Sequence, residues 1–319
     1  MNTPLRLSLY GIGLVAAFGA AFALSGALTP EAAVADRAAA TEAAHGTATE
    51  HGETATAVTA TTESTRGVTL ASNGLQLSPV AAPHAIGEDG KLSFSVTDAS
   101  GEPMLEYVEE HEKELHLIVV RSDGAEFRHV HPTLDTAGTW SLPWSWDAAG
   151  SYRVFADFVP AGSENPVTLT RTVEVAGEFA PADSHDTSRE AKVSGFDVSL
   201  EGDLLVGSAS TLTLSVSRDG KPVTTMEPYL GAFGHLVALR EGDLAYLHVH
   251  PEGAEPTPGE NSGPEVVFAS EAPTAGRYFL YFDFQVDGKV YSAPFIVDAA
   301  PAAAGASEPV EEETHDEGH

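Results

Sequence analysis

Short runs of alternating apolar and polar residues recur along the chain and are broken by Gly, Pro, Asp and Asn. Lys91 to Thr97, KLSFSVT, alternates cleanly, and Thr211 to Ser217, TLTLSVS, repeats the pattern further on. A period of two is that of a half-buried strand, and turn signals every 8–12 residues or so are those of a sandwich rather than of alternating strands and helices. Thr139 to Trp146 sets Trp140, Leu142, Trp144 and Trp146 at even spacing, so all three tryptophans face one core, and Pro143 assigns this strand to a sheet edge. The run Ala149-Gly150-Ser151-Tyr152 through Asp157-Phe158 is matched by Ala275-Gly276-Arg277-Tyr278 through Asp283-Phe284. A turn, a Tyr and then an apolar strand resemble the tyrosine corner of immunoglobulin-like domains, without the Cys that follows it there. The expected fold is all-β: two tandem immunoglobulin-like β-sandwich repeats, 67–177 and 193–299, separated by a polar linker at 178–192.

The duplication is sharpest in two hairpins, Glu114 to Pro132 (ELHLIVVRSDGAEFRHVHP) and Gly234 to Pro251 (GHLVALREGDLAYLHVHP). A two-residue type I′ turn at Asp123-Gly124 sets His116 opposite His131 and Ile118 opposite His129. Because side chains alternate faces, His116, His129 and His131 then share one face, and opposed Cβ atoms about 4.5–5.5 Å apart let three imidazoles converge on one ion. A turn at Gly242-Asp243 does the same for His235, His248 and His250. The two copies differ at many intervening positions yet keep all three histidines and the Pro. Neutral imidazole is the commonest metal ligand, and three on a rigid hairpin leave a fourth position open. The competing reading is a cluster of histidines bonded to backbone and to one another.

Other residues bear on that choice. Asp157 and Asp283 interrupt aromatic-rich strands at equivalent places, either as fourth ligands, as acceptors orienting a ligating imidazole, or as caps of backbone amides. Met104 and Met226, each three residues before a tyrosine, would favour copper if they joined the imidazoles, and otherwise fill core gaps. His111 has no counterpart in the second repeat and stands as an outer candidate.

Outside the repeats, Leu5 to Leu28 carries Arg6 as its sole charge and is long enough to cross a bilayer, so residues 1–28 are read as a transmembrane anchor or signal segment. Arg6 inside and an acidic chain outside orient the rest away from the cytoplasm, on the cell membrane. The alternative is secretion after cleavage near Ala35, in the small-residue run Ala33-Val34-Ala35. Residues 29–66 form a disordered Ala/Thr/Glu linker, a tether on the order of 35 Å in root-mean-square span. Residues 300–319 read as a disordered acidic tail with His315 and His319. A formal charge of −31 argues against nucleic-acid and anionic-lipid partners, and the absence of Cys removes disulfides and thiolate ligands.

The pattern HLIVV, a short turn, HVHP, then GTW and the FADF strand resembles a group of duplicated, exported or membrane-anchored bacterial proteins, some labelled heavy-metal-binding. The resemblance covers both repeats, and the HVHP hairpins are its specific part. It implies an envelope location and metal handling, and no assigned activity. Three functions remain open: a membrane-tethered extracytoplasmic module binding copper or zinc with one three-histidine site per repeat; a structural or interaction protein of paired sandwiches; and a metalloenzyme with an activated water. Against the last, the first repeat lacks the Glu that follows HxH in cupins, with Pro132-Thr133-Leu134 there and no Glu before Trp140, and no Ser-His-Asp pattern or phosphate loop appears.

Overall fold

The computed structural model describes residues 67–181, 185–257 and 259–301. The expected anchor at 1–28, the linker at 29–66 and the tail beyond 301 lie outside the described residues, and His248 and His250 are described by backbone position alone. Among the described residues there is no helix, hence none long and apolar enough to cross a membrane.

The first repeat runs β1 (Ala71–Ser72), β2 (Leu75–Leu77), β3 (Gly90–Phe94), β4 (Val96–Thr97), β5 (Tyr107–Val108), β6 (His116–Arg121), β7 (Arg128–Val130), β8 (Thr133–Leu134), β9 (Trp140–Trp144), β10 (Gly150–Pro160) and β11 (Val167–Val175). The second runs β12 (Glu190–Val193), β13 (Phe196–Glu201), β14 (Leu205–Val206), β15 (Ser210–Arg218), β16 (Lys221–Pro222), β17 (His235–Arg240), β18 (Tyr246–His248), β19 (His250–Pro251), β20 (Glu265–Ser270), β21 (Gly276–Val286) and β22 (Lys289–Pro301). The main sheet of the first repeat has the order β11-β10-β6-β7, and its counterpart in the second is β14-β22-β21-β17-β18.

Each main sheet buries one face inside its own repeat. In the first, Leu117 and Val119 of β6 and Tyr152, Val154, Ala156 and Phe158 of β10 meet Leu92, Phe94, Trp140 and Trp144 from the facing sheet β3-β9-β8. In the second, Leu236 and Ala238 of β17 and Phe282 and Phe284 of β21 meet Val198, Leu214 and Phe268 from the sheet β12-β13-β15-β20-β19. Two sheets closing over one apolar layer make each repeat a β-sandwich.

The residues in between carry the fold's less expected feature. Ile118 and Val120 alternate with Leu117 and Val119 on β6, are equally buried, and point the other way. With Phe155 they meet Val237, Leu239, Tyr246, Phe279 and Tyr281 of the second repeat in a third apolar cluster. The main sheets of the two repeats therefore pack outer face against outer face. Phe127 and Tyr281 stack across this seam with ring centroids 3.9 Å apart, and the Tyr281 hydroxyl donates to the Gly124 carbonyl.

Several sequence expectations change in detail. The hairpin turns are not two-residue type I′, because Asp123 keeps an ordinary φ and the positive φ values fall at Gly124 and Glu126, and at Gly242 and Leu244 in the second copy. Asp123 instead takes Nε and Nη2 of the Arg121 guanidinium, at 2.8 and 2.9 Å, and Asp243 takes the same two nitrogens of Arg240, so an Arg–Asp pair braces each turn. The strand with Pro143 is not at an edge: β9 lies between β3 and β8, but β8 reaches only Trp140 and Ser141, so Pro143 faces Lys91 alone. The polar linker ends earlier than expected, since β12 already begins at Glu190, and Ala300 and Pro301 belong to β22 because they pair with Leu205 and Val206. The tyrosine corner appears twice: the Tyr152 hydroxyl donates to Ala148 O at 2.8 Å, and that of Tyr278 to Thr274 O at 3.0 Å.

Candidate metal centre

His116 opens β6 on the face of Ile118 and Val120, so its imidazole enters the end of the seam rather than the core of its own sandwich. His129 stands opposite Ile118 on β7, and His131 follows one residue beyond the end of that strand. The expected cross-strand register is thus realised despite the different turn. His116, His129 and His131 are the one group of three or more His, Cys, Asp or Glu side chains among the described residues whose donor atoms lie within 4.8 Å of one another.

The donor atoms follow from the hydrogen bonds. His116 Nε2 lies 3.1 Å from the Glu110 carbonyl, which can only accept, so Nε2 carries the proton and Nδ1 a bare lone pair. His129 Nδ1 lies 2.9 Å from Asp283 Oδ2; toward a carboxylate oxygen it too is the donor, which in the neutral ring leaves Nε2 bare. These two bare nitrogens stand 3.1 Å apart. His131 Nε2 is also 3.1 Å from His116 Nδ1. With both rings neutral, the His116–His129 approach has no proton to fill it. Two imidazole nitrogens 2.0–2.1 Å from one tetrahedral ion lie about 3.3 Å from each other, so the observed spacing fits a single ion between them.

A proton is a poor substitute for that ion. Burial, with the charge of His129 next, pushes the His116 pKa down to about 3; burial, then His129 and His116, pushes His131 down to about 2. His235 is pushed down to about 4, again chiefly by burial. Positive charge on one imidazole here disfavours it on the next, and with burial this holds His116, His131 and His235 in the neutral, ligating form.

In the second repeat His235 opens β17 on the face of Val237 and Leu239, opposite Asp283 of β21, as His116 stands opposite Asp157 of β10. His235 Nε2 donates to Tyr229 O at 2.8 Å, the same six-residue reach that His116 makes to Glu110. His248 lies opposite Val237, matching His129, whereas His250 has crossed to the other sheet and pairs with Ala269. The two repeats bring their histidines to the same end of the seam: His116, His129, His235 and Asp157 line one cavity of about 40 Å³, room for an ion with a water or two.

Asp157 is buried and accepts from the hydroxyls of Thr168, at 2.7 Å, and of Tyr246 across the seam, at 3.3 Å. The methionines lie elsewhere: Met226 is fully buried in the core of the second repeat, Met104 packs against that of the first, and neither lines the histidine cavity. His111, absent from the duplicated pattern, sits at the cavity with its ring 5.4 Å from His235 and 6.1 Å from His116. The Glu110 and Tyr229 carbonyls are partners that sequence reasoning missed, since a backbone acceptor leaves no mark in side-chain identity.

The chain belongs to the family described as Domain of unknown function (DUF8832), whose pattern matches residues 71–176 and again 191–301. No curated protein matches it. Among solved structures it is similar to Salmonella alpha-2-macroglobulin (mutant Y1175G; 16% identity, TM-score 0.23, covering 75% of this chain and 15% of that one). It is also similar to invasin, a bacterial integrin-binding protein (12% identity, TM-score 0.22, 72% and 39%), and to the D0-D1 domain of intimin (11% identity, TM-score 0.20, 66% and 90%). The chain spans about a sixth of the macroglobulin.

Proposed function

We propose that this member of the DUF8832 family is a non-catalytic, membrane-tethered extracytoplasmic module that holds a divalent zinc or copper ion on His116, His129 and His131, with His235, His248 and His250 as the ligands of a second site in the second repeat, where His250 departs from the arrangement of His131. The observation that carries the reading is the 3.1 Å approach of His116 Nδ1 to His129 Nε2, the other ring nitrogen of each being turned to an acceptor, the Glu110 carbonyl and the Asp283 carboxylate. The donor set is nitrogen alone, which suits zinc and copper(II) better than the softer copper(I), since the methionines are spent in the cores. Each repeat is read as immunoglobulin-like on the strength of its tyrosine corner. The location outside the cytoplasm rests on the apolar segment Leu5 to Leu28 and its flanking Arg6.

A metal that binds the folded hairpin alone stabilises it by about 2.7 kcal/mol at a hundredfold excess over Kd. Protein treated with chelator and titrated with zinc or copper(II) at neutral pH should therefore unfold at a higher temperature, and the double substitution His129→Ala, His131→Ala should remove the first repeat's share of that rise. A melting curve indifferent to both metals would favour the second reading, a structural or interaction protein. That reading draws on one observation: the seam has an apolar core of its own, which joins the sandwiches without any ion.

A further inference from the structure

The family pattern treats one repeat as the unit, yet the first repeat's histidine cluster is not self-contained. The carboxylate that fixes the His129 imidazole comes from β21 of the second repeat, 154 residues further along the chain. Both side chains are nearly sealed from solvent, with 5% of the His129 and 4% of the Asp283 side chain exposed. The first repeat's own equivalent, Asp157, does not serve His129; Thr168 and Tyr246 hydroxyls hold its two oxygens. Asp283 is the one partner of His129 Nδ1 among the described residues, and so selects the tautomer that turns a bare Nε2 toward His116.

We infer that Asp283 is a positioning residue for the first repeat's metal centre, supplied across the seam by the second repeat, so that this centre is complete only when both repeats are docked. The inference rests on the metal-binding reading above and deepens it. Accepting the Nδ1 proton, the carboxylate fixes the ring's orientation and raises the basicity of Nε2, the work that a carboxylate–histidine pair performs behind a zinc ion. The duplication then has a function of its own: it makes a two-repeat chain the smallest unit with a finished site, and it ties the ion to the packing of Ile118, Phe155 and Tyr281 in the seam. A metal ion of zinc or copper(II) type is the ligand; Asp283 touches the imidazole and not the ion.

The test uses the full chain, with zinc affinity measured by competition against a chelator of known strength, and with the first centre defined as the site lost in His129→Ala, His131→Ala. Asp283→Asn keeps the shape and removes the charge; it should weaken that site by about tenfold or more, the usual range for such partners being 10–100-fold. A second measurement needs no variant: two-bond proton–nitrogen correlations in the metal-free wild type should show His129 protonated on Nδ1, and Asp283→Asn should shift it toward a mixture of tautomers. A purely structural role for Asp283 would alter the melting temperature without moving either reading. Wild-type binding with unchanged affinity in Asp283→Asn, or a wild-type His129 protonated on Nε2, overturns the inference and leaves the metal reading standing. Wild-type protein that takes up neither zinc nor copper(II) overturns both.

Discussion

At the scale of single residues the account turns on which imidazole nitrogen carries a proton. His116, His131 and His235 have folded pKa values of about 3, 2 and 4, below the ordinary value near 6.5, so the unfolded chain takes up protons first as pH falls. The stability that comes from keeping them neutral is complete above about pH 6.5 and declines below it, by up to about 1.4 kcal/mol per pH unit for each group. Metal-free protein should show a denaturation midpoint that falls steadily from pH 7 to pH 5. In His116→Ala that slope should be shallower, and an equal slope in the two proteins would place the titration elsewhere. The histidines were legible because chemistry and period coincide: HVHP puts two imidazoles on one face, and the facing strand begins with a third. Asp283 was legible as a candidate partner but not as the partner of His129, because nothing in either hairpin records which faces the repeats press together. One signal was present and unread: LIVV in β6 is apolar at four consecutive positions, the mark of a strand buried on both faces.

At the scale of elements, the hairpin holds its register through the ladder rather than the turn. The type I′ expectation failed, yet Ile118 still meets His129, since a one-residue slip would turn Leu117 and Val119 out of the core. The turn has a different constraint. Gly124 has φ of +79°, and a Cβ there would lie 2.9 Å from the Phe279 ring of the second repeat. Gly124→Ala should cost about 1–3 kcal/mol in urea denaturation, through backbone strain and the displaced ring together. A neutral result would mean that the hairpin tip is not seated on the seam. The tyrosine corners offer a comparison free of the seam: Tyr278→Phe removes the part-buried hydroxyl's bonds to Thr274 O and Thr274 Oγ1 and should cost about 1–3 kcal/mol with no change in metal affinity.

At the scale of the molecule, the seam makes two sandwiches one body. Ile118, Val120, Phe155, Val237 and Leu239 are as deeply buried as the residues inside either repeat. The region from Gly67 to Pro301 should therefore unfold in one calorimetric transition, with van't Hoff and calorimetric enthalpies in agreement. Ile118→Asp would bury an unpaired charge in the seam and should split the transition in two. Two transitions in the wild type would show the repeats to be thermodynamically separate, and with them the first centre and Asp283. The tandem organisation was legible from the doubled hairpin and the doubled tyrosine strand; the face-to-face packing was not, because it depends on apolar residues that either a core or a seam would accept.

The central claim is that the histidine cluster of the first repeat holds a metal ion, and metal content tests it most directly. Protein spanning Gly67 to Pro301, equilibrated with zinc or copper(II) at neutral pH and freed of excess ion, should retain at least one equivalent by elemental analysis. The triple substitution His116→Ala, His129→Ala, His131→Ala should retain one equivalent fewer. No retained metal in the wild type, or equal content in the two proteins, would contradict the account.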